Sequence, residues 1–217
     1  RALGDAEVLW QFLQKIYAEV DAALINAAVQ AQMVAPSLPA GLSAEVLEAI
    51  PEAPGVYLFY DAQGAPLYVG RSADLHARVR SHFAGGHRPA RDMRITQQVT
   101  RVEWIETAGE LGALLAESRL IKELLPVHRK RRDKETAHNP QFASWPYKGA
   151  IGLRERSGEK SEVHLFERWC FLGTARTEAE IYEMLEVRSE PVFEPDIYTI
   201  LKRELAKRTR GVALIEF

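Results

Sequence analysis

Pro54-Gly55-Val56-Tyr57-Leu58-Phe59-Tyr60-Asp61-Ala62-Gln63-Gly64-Ala65-Pro66-Leu67-Tyr68-Val69-Gly70 holds two β-prone runs on either side of an Asp/Gly turn. Aromatic and branched residues favour extended chain, and a polar turn between two such runs makes an antiparallel hairpin. With the turn centred on Ala62-Gln63, Tyr57 falls directly across from Tyr68. Both hydroxyls then leave one face of the sheet.

Outward from the hairpin, Asp74 to Phe83 reads as a helix in which Leu75, Val79 and Phe83 recur at helical spacing, with Arg78 and His82 on the same side. Asp92 to Val99 reads as another helix, Arg101 to Glu106 as a third strand, and Ala108 to Leu125 as a strong helix bearing Leu111, Leu114, Ile121 and Leu124. Upstream, Val8 to Val34 is helical in composition, the Pro/Gly-containing stretch from Ala35 to Gly41 breaks it, and Ser43 opens a short helix to Ala49. Downstream, strands are expected at Ala150 to Arg156 and Val163 to Phe171 around the turn Ser157-Gly158-Glu159, helices at Glu178 to Leu185 and Asp196 to Lys207, and a last strand at Val212 to Phe217. The fold class is α+β: a small three-stranded antiparallel sheet flanked by helices, an N-terminal helical segment, and a small α+β extension at the C-terminal side. The expected divisions are a helical segment over 1–34, a linker with a short helix over 35–50, the central domain over 51–134 and the extension over 135–217.

A chain of 217 residues, 47% hydrophobic and 27% charged, has the composition of a globular protein with one sizeable core. No apolar run approaches the roughly 20 residues that span a bilayer, so no membrane partner is expected. The start Arg1-Ala2-Leu3-Gly4-Asp5 lacks the apolar centre of a secretory signal. One cysteine, Cys170, excludes an internal disulfide framework and a cysteine-based zinc site, and a reducing cytoplasm is the default compartment. The net charge of −2 carries no overall nucleic-acid signature. Its distribution does: acids prevail up to Pro54, while arginine and lysine dominate from Arg71 to Lys134.

Glu117 is the most telling single residue. It lies inside the apolar stripe of its helix, three residues after Leu114 and four before Ile121. A buried carboxylate is costly unless it is paired or bound to a metal; an arginine and a metal ion both answer that cost. Arg78 and His82 sit beside core positions, where an arginine either snorkels outward or is aimed at a phosphate. Tyr57 and Tyr68 fit half-buried strand positions equally well as structural aromatics. Arg129-Lys130-Arg131-Arg132, with Arg80, offers cations for a phosphate backbone or else a solvated basic surface.

Together these residues resemble the GIY-YIG nuclease family, in particular its UvrC-type excision-repair branch. The two eponymous triplets stand as Gly55-Val56-Tyr57 and Tyr68-Val69-Gly70. The stretch from Arg71 to Phe83 is similar to the family's basic residue, helix arginine and helix-end Tyr/His, and Glu117-Ser118-Arg119-Leu120-Ile121-Lys122 to its metal-ligand segment, followed by Leu125-Pro126. Arg71 stands where many relatives carry lysine, keeping the charge but not the point-charge geometry. The resemblance departs at His128-Arg129, where family members usually place Tyr-Asn.

The resemblance implies phosphodiester hydrolysis of DNA with one divalent ion, Mg²⁺ or Mn²⁺, held by Glu117. It assigns Arg78 to charge on the scissile phosphate, Tyr57 with Tyr68 to activation of the attacking water, His82 to a phosphate oxygen or water, and Arg71 to the field that favours a phenolate. A free phenol titrates near pH ~10, so such a base needs a nearby cation or a proton relay. The expected activity is a single-strand incision as in nucleotide excision repair, on the 3′ side of a lesion, with damage-recognition proteins as possible partners. A stand-alone structure-specific nuclease and a non-cutting DNA-binding module are the competing readings.

The flanks carry weaker resemblances. Arg1-Ala2-Leu3-Gly4-Asp5-Ala6 resembles the end of a proofreading-type 3′–5′ exonuclease, with Asp5 in the place of its last metal-binding aspartate. A fusion of such an exonuclease to a GIY-YIG module is therefore expected, with no exonuclease activity in this chain because the other carboxylates are missing. Trp145-Pro146-Tyr147 is similar to the Tyr-Pro-Tyr that follows the nuclease domain in UvrC, and Leu172-Gly173-Thr174-Ala175 echoes the same region. Glu155, Glu162 and Glu167 are expected to be solvated.

Overall fold

A computed structural model describes residues 2–27, 38–39, 41–84, 90–125, 142–186, 192–207 and 212–217. Three strands form the first sheet: β1 (Gly55–Tyr60), β2 (Pro66–Ser72) and β3 (Arg101–Glu106), in the antiparallel order β2-β1-β3. All six residues of β1 are buried because helices cover both of its faces, which is why the strand reads as an unbroken apolar run. Tyr57, Phe59 and Tyr68 point to one side, into a core completed by Leu75, Val79 and Phe83 of α4 (Leu75–Phe83). Val56, Leu58 and Val69 point to the other, against Ala113 and Leu120 of α6 (Glu110–Leu124).

The hairpin register differs from the expected one. Tyr57 lies opposite Gly70, and Tyr68 opposite Phe59. Asp61 closes a loop with Ala65 and its carboxylate accepts from the amides of Gln63 and Ala65 at 2.9 and 2.8 Å, with Gly64 at φ 79°. An irregularity between Phe59 and Tyr60 shifts the ladder further. The two tyrosines still share a face, now as diagonal neighbours with ring centroids 6.0 Å apart. Gly70 is what makes room: a Cβ there would lie 2.6 Å from the Tyr57 ring and hydroxyl.

Upstream, the expected single helix from Val8 is divided. α1 (Ala2–Glu19) ends at a bend, and Asp21 accepts from Ala23 N at 2.7 Å to open α2, described over residues 22–27. An aspartate that bonds the backbone two residues on competes with the continuing helix. Residues 28–34 of the expected helix lie outside the described residues. α3 (Ala44–Glu48) supplies Leu47, and α5 (Ala90–Gln98) Ile95, to the core beneath Tyr57.

The C-terminal module is an antiparallel sheet in the order β6-β5-β4-β7: β4 (Ile151–Ser157), β5 (Lys160–Glu167), β6 (Cys170–Ala175) and β7 (Ala213–Glu216). The strand expected over Val163 to Phe171 is in fact two, joined by a turn at Arg168 and Trp169 with φ of 50° and 68°. That turn type is usually announced by Asn-Gly or Asp-Gly, and here neither residue signals it. α7 (Glu178–Glu186) covers one face through Ile181, and α8 (Pro195–Lys207) packs on α6 through Ile197, Tyr198 and Leu201.

α6 belongs to both modules. Leu111, Leu114 and Leu115 enter the core formed with Ile151, Leu153 and Phe166, while Ala113 and Leu120 enter the core under β1. A helix apolar on nearly every side in its first half must be covered on every side, and the second sheet provides the cover. It also provides the cap. Glu155 and Glu162 are each 5% exposed rather than solvated. Glu155 accepts from Leu111 N at 2.9 Å and Gly112 N at 2.8 Å, and Glu162 from Ala108 N at 3.0 Å. These acids, side by side on β4 and β5, are drawn inward by the unpaired amides and positive end of α6. Glu167 is half-buried.

Candidate active site

Two groups of polar side chains leave neighbouring positions of β2. The first lies on the α4 side. Asp74 caps α4 by accepting from Ala77 N at 2.9 Å, which fixes the helix so that His82, two turns on, faces the sheet. Its Nε2 lies 2.7 Å from the Tyr57 hydroxyl, and its ring centroid is 5.4 Å from Tyr57 and 5.8 Å from Tyr68. Phe59 meets the same imidazole edge to face at 5.2 Å. Tyr57 is fully buried and His82 half-buried. Burial pushes the Tyr57 hydroxyl well above the ordinary tyrosine range; Tyr68 adds to the rise, and the Arg78 guanidinium opposes it. Arg78 is exposed rather than tucked beside the core, yet its guanidinium is near enough to oppose the rise of the Tyr57 hydroxyl. Arg80 is exposed on the same helix.

The second group lies on the α6 side. Arg71 follows Gly70, so by the alternation of a strand it leaves the opposite face from Tyr68. Its Nε donates to Glu117 Oε2 at 3.1 Å and its Nη1 to Glu110 Oε1 at 3.2 Å. Glu117 is 16% exposed at the side chain and Glu110 66%. Glu110 precedes Glu117 by two helical turns and so shares its face, a spacing visible in the sequence. Farther along α6, Lys122 pairs with Asp196 of α8 at 2.8 Å, and the Ser118 hydroxyl, next to Glu117, donates to the same carboxylate.

The structure thus brings Tyr57, Tyr68, His82 and Arg78 together on one side of β2, and Arg71, Glu117 and Glu110 on the other. Because β2 is an edge strand of the sheet, groups on its two faces can converge around that edge. Arg129, Lys130, Arg131 and Arg132, together with His128, lie outside the described residues, as does the side chain of Asp5.

Glu117 could hold a metal ion. Oε2 is held by Arg71, while Oε1 makes no hydrogen bond with a described residue. Among the described residues no cluster of three or more His, Cys, Asp or Glu could hold a metal ion. One partly buried carboxylate with a free oxygen suits a hydrated Mg²⁺-like ion, which is commonly bound through one or two carboxylates plus phosphate oxygens.

Behind this site lies a polar network that composition did not disclose. His164 is fully buried; its Nε2 lies 3.2 Å from Glu155 and its Nδ1 2.9 Å from Thr174 Oγ1. Burial alone would raise the Glu155 carboxyl, but hydrogen bonds from His164 and from the Gly112 and Leu111 amides, with the His164 charge, hold it below the ordinary carboxylate range. Arg176 donates to Glu162 at 3.1 Å. The recoverable signal was alternation: Leu153 and Glu155 on β4, and Glu162, His164 and Phe166 on β5, share a face with buried leucine and phenylalanine.

Residues 53–129 match the family model described as the UvrC-like GIY-YIG domain, and residues 150–216 match the one described as the excinuclease Cho C-terminal domain. Over 86 residues the chain is 45% identical to excinuclease Cho of Escherichia coli K12, covering 39% of this chain and 28% of that protein. Over 82 residues it is 45% identical to the UvrABC system protein C of Moorella thermoacetica, covering 38% of this chain and 13% of that protein. The match thus spans less than a third of the length of these curated relatives. A solved GIY-YIG N-terminal endonuclease domain of UvrC from Thermotoga maritima, bound to magnesium as its catalytic divalent cation, aligns at 30% identity with a TM-score of 0.35, over 39% of this chain and 96% of that one.

Proposed function

We propose that this chain is a divalent-metal-dependent DNA endonuclease that hydrolyses one phosphodiester bond, nicking a single strand on the 3′ side of a lesion as in excision repair. The observation that carries the reading is the pairing of Arg71 with Glu117 on one side of an edge strand and the Tyr57–His82 hydrogen bond on the other, within a segment that matches the UvrC-like GIY-YIG domain. Glu117 would hold the ion, Mg²⁺ or Mn²⁺, which supplies charge stabilisation at the scissile phosphate and the leaving oxygen.

The chain's own residues do the rest. Arg71 keeps the Glu117 carboxylate oriented. Arg78, exposed at the mouth of the site, meets the phosphate and offsets its growing negative charge. With the Tyr57 phenol raised by burial, Tyr57 does not act as a free phenolate. Tyr57 and His82 work as one proton-accepting unit: the hydroxyl passes its proton to Nε2 as it takes one from the attacking water. Arg80 and the 129–132 run bind the flanking backbone, and damage-recognition proteins deliver the substrate.

The test is nicking of plain and lesion-bearing duplex with Mg²⁺ or Mn²⁺, with and without excision-repair damage-loading proteins. The wild-type chain nicks, and Glu117→Gln binds DNA without nicking. DNA binding with no nicking under any condition would leave a non-cutting module, the reading favoured by His128-Arg129 in place of Tyr-Asn.

We also propose that residues 1–34 continue an exonuclease-type domain. The Arg1-to-Asp5 pattern supports it, as do Val8, Trp10, Phe12 and Tyr17, which α1 leaves exposed. Amide exchange over residues 2–19 should slow when upstream exonuclease-type sequence is joined; unchanged exchange there refutes it.

A further inference from the structure

We infer that Glu155, a residue of the C-terminal sheet, is a positioning residue for the nuclease site, acting through the N-terminus of α6. The inference deepens the proposed function and rests on it for the roles of Arg71 and Glu117.

α6 has no cap of its own. Gly109 at its N-cap offers no side chain, and two amides of the first turn, those of Leu111 and Gly112, are bonded by the two oxygens of Glu155 at 2.9 and 2.8 Å. Ala108, just before the cap, is bonded by Glu162. The first turn is therefore held from the second sheet by bonds that a helix ordinarily draws from its own N-cap residue. This held turn carries Glu110, which grips Arg71 by one nitrogen while Glu117 grips it by another. A displacement of the turn moves Glu110, then Arg71, then the oxygen of Glu117 that Arg71 orients.

The glycines show that this contact is built in. A Cβ on Gly109 would lie 2.4 Å from Glu155 Oε1, and one on Gly112 3.1 Å from His164. Gly109 has an extended backbone with φ 179°, so conformation does not demand glycine there. Space for the Glu155 carboxylate does. His164 in turn fixes Glu155 from behind, with Thr174 setting the imidazole ring. Arg71 is the partner one step removed from Glu117, and such partners typically change metal affinity by ~10–100-fold; Glu155 acts through it, at the lower end of that range.

The experiment uses the full chain and five proteins: wild type, Glu155→Gln, Glu155→Asp, Gly109→Ala, and the double variant of Glu155→Gln with Gly109→Ala. Mn²⁺ affinity, nicking kcat and KM for DNA are measured at a temperature where circular dichroism shows each variant folded, and amide exchange is followed over residues 110–117. Glu155→Gln is expected to weaken Mn²⁺ binding about tenfold, lower kcat, leave KM for DNA within twofold, and accelerate exchange over that stretch. Gly109→Ala reproduces the effect from the nuclease side. The double variant is no worse than either single one, because both break the same contact. Glu155→Asp, which keeps the charge, recovers part of the loss.

A lowered melting temperature with Mn²⁺ affinity and kcat unchanged makes Glu155 merely structural and overturns the inference, as does additivity of the two variants. Where the wild type neither nicks nor binds Mn²⁺, the proposed function fails, and the exchange arm alone decides: unaltered exchange over residues 110–117 in Glu155→Gln overturns the positioning role as well.

Discussion

Glu117 sits at the junction of the two answers that its sequence context allowed, an arginine partner and a metal. The structure shows the arginine, with one carboxylate oxygen left over. Removing Arg71 leaves a partly buried charge without its cation, so Arg71→Ala should lower both kcat and metal affinity. Arg71→Lys should recover charge without the two-nitrogen grip on Glu110 and Glu117, placing its kcat between the two. The proton path is tested by pH. The unit accepts a proton only when His82 is neutral, so nicking by the wild type should rise with pH as the imidazole loses its proton. Tyr57→Phe should lose on the order of 10²-fold or more in kcat, and His82→Ala should lose the rise. An unaltered acidic limb in His82→Ala would remove His82 from the path. Which residues gather was legible from the triplets and the spacing along α4 and α6; that Tyr57 is too buried to ionise by itself was not, since burial depends on helices that close over β1.

Among the elements, the hairpin and α6 decide most. Gly70 exists for the Tyr57 ring, so Gly70→Ala forces the phenol off His82 or the strands apart. A cost of ~1–3 kcal/mol is expected for such overpacking, read as a lower urea midpoint, with nicking lost beyond what stability explains. The strands, α4 and α6 could be read from periodicity because each buries a face and the pattern records it. The hairpin register could not, because it depends on the loop that Asp61 closes with Ala65 and on the irregularity between Phe59 and Tyr60. The β5–β6 turn was hidden for a related reason: Arg168 and Trp169 adopt left-handed backbone without the residues that favour it. Glu155 and Glu162 depart from the solvated positions expected of acids on a strand because the N-terminus of α6 arrives against them. Their bonds carry a pH signature. The Glu155 carboxyl is held below its ordinary range in the folded chain, so its contribution is complete above the unfolded value and is lost as pH falls through the lower folded one. Glu155→Ala should thus cost about 2–4 kcal/mol near neutrality, and the gap to wild type in urea titrations should narrow below about pH 4.

For the molecule as a whole, the two sheets are walls of one building with α6 between them. A chain cut after residue 134 would expose Leu111, Leu114 and Leu115 and leave the amides of Leu111 and Gly112 uncapped. It should bind a hydrophobic dye and melt without a sharp transition, whereas the full chain should lose its aromatic and far-ultraviolet signals together. Two coincident transitions separating into distinct midpoints would show that the modules are independent. The shared helix also has a bearing on how the protein is made. α6 leaves the ribosome well before β4 and β5, so its leucine face must wait for partners that are still being synthesised. At roughly 5–20 residues per second that wait lasts seconds, and the first turn of α6 gains its Glu155 cap only once the second sheet has been translated.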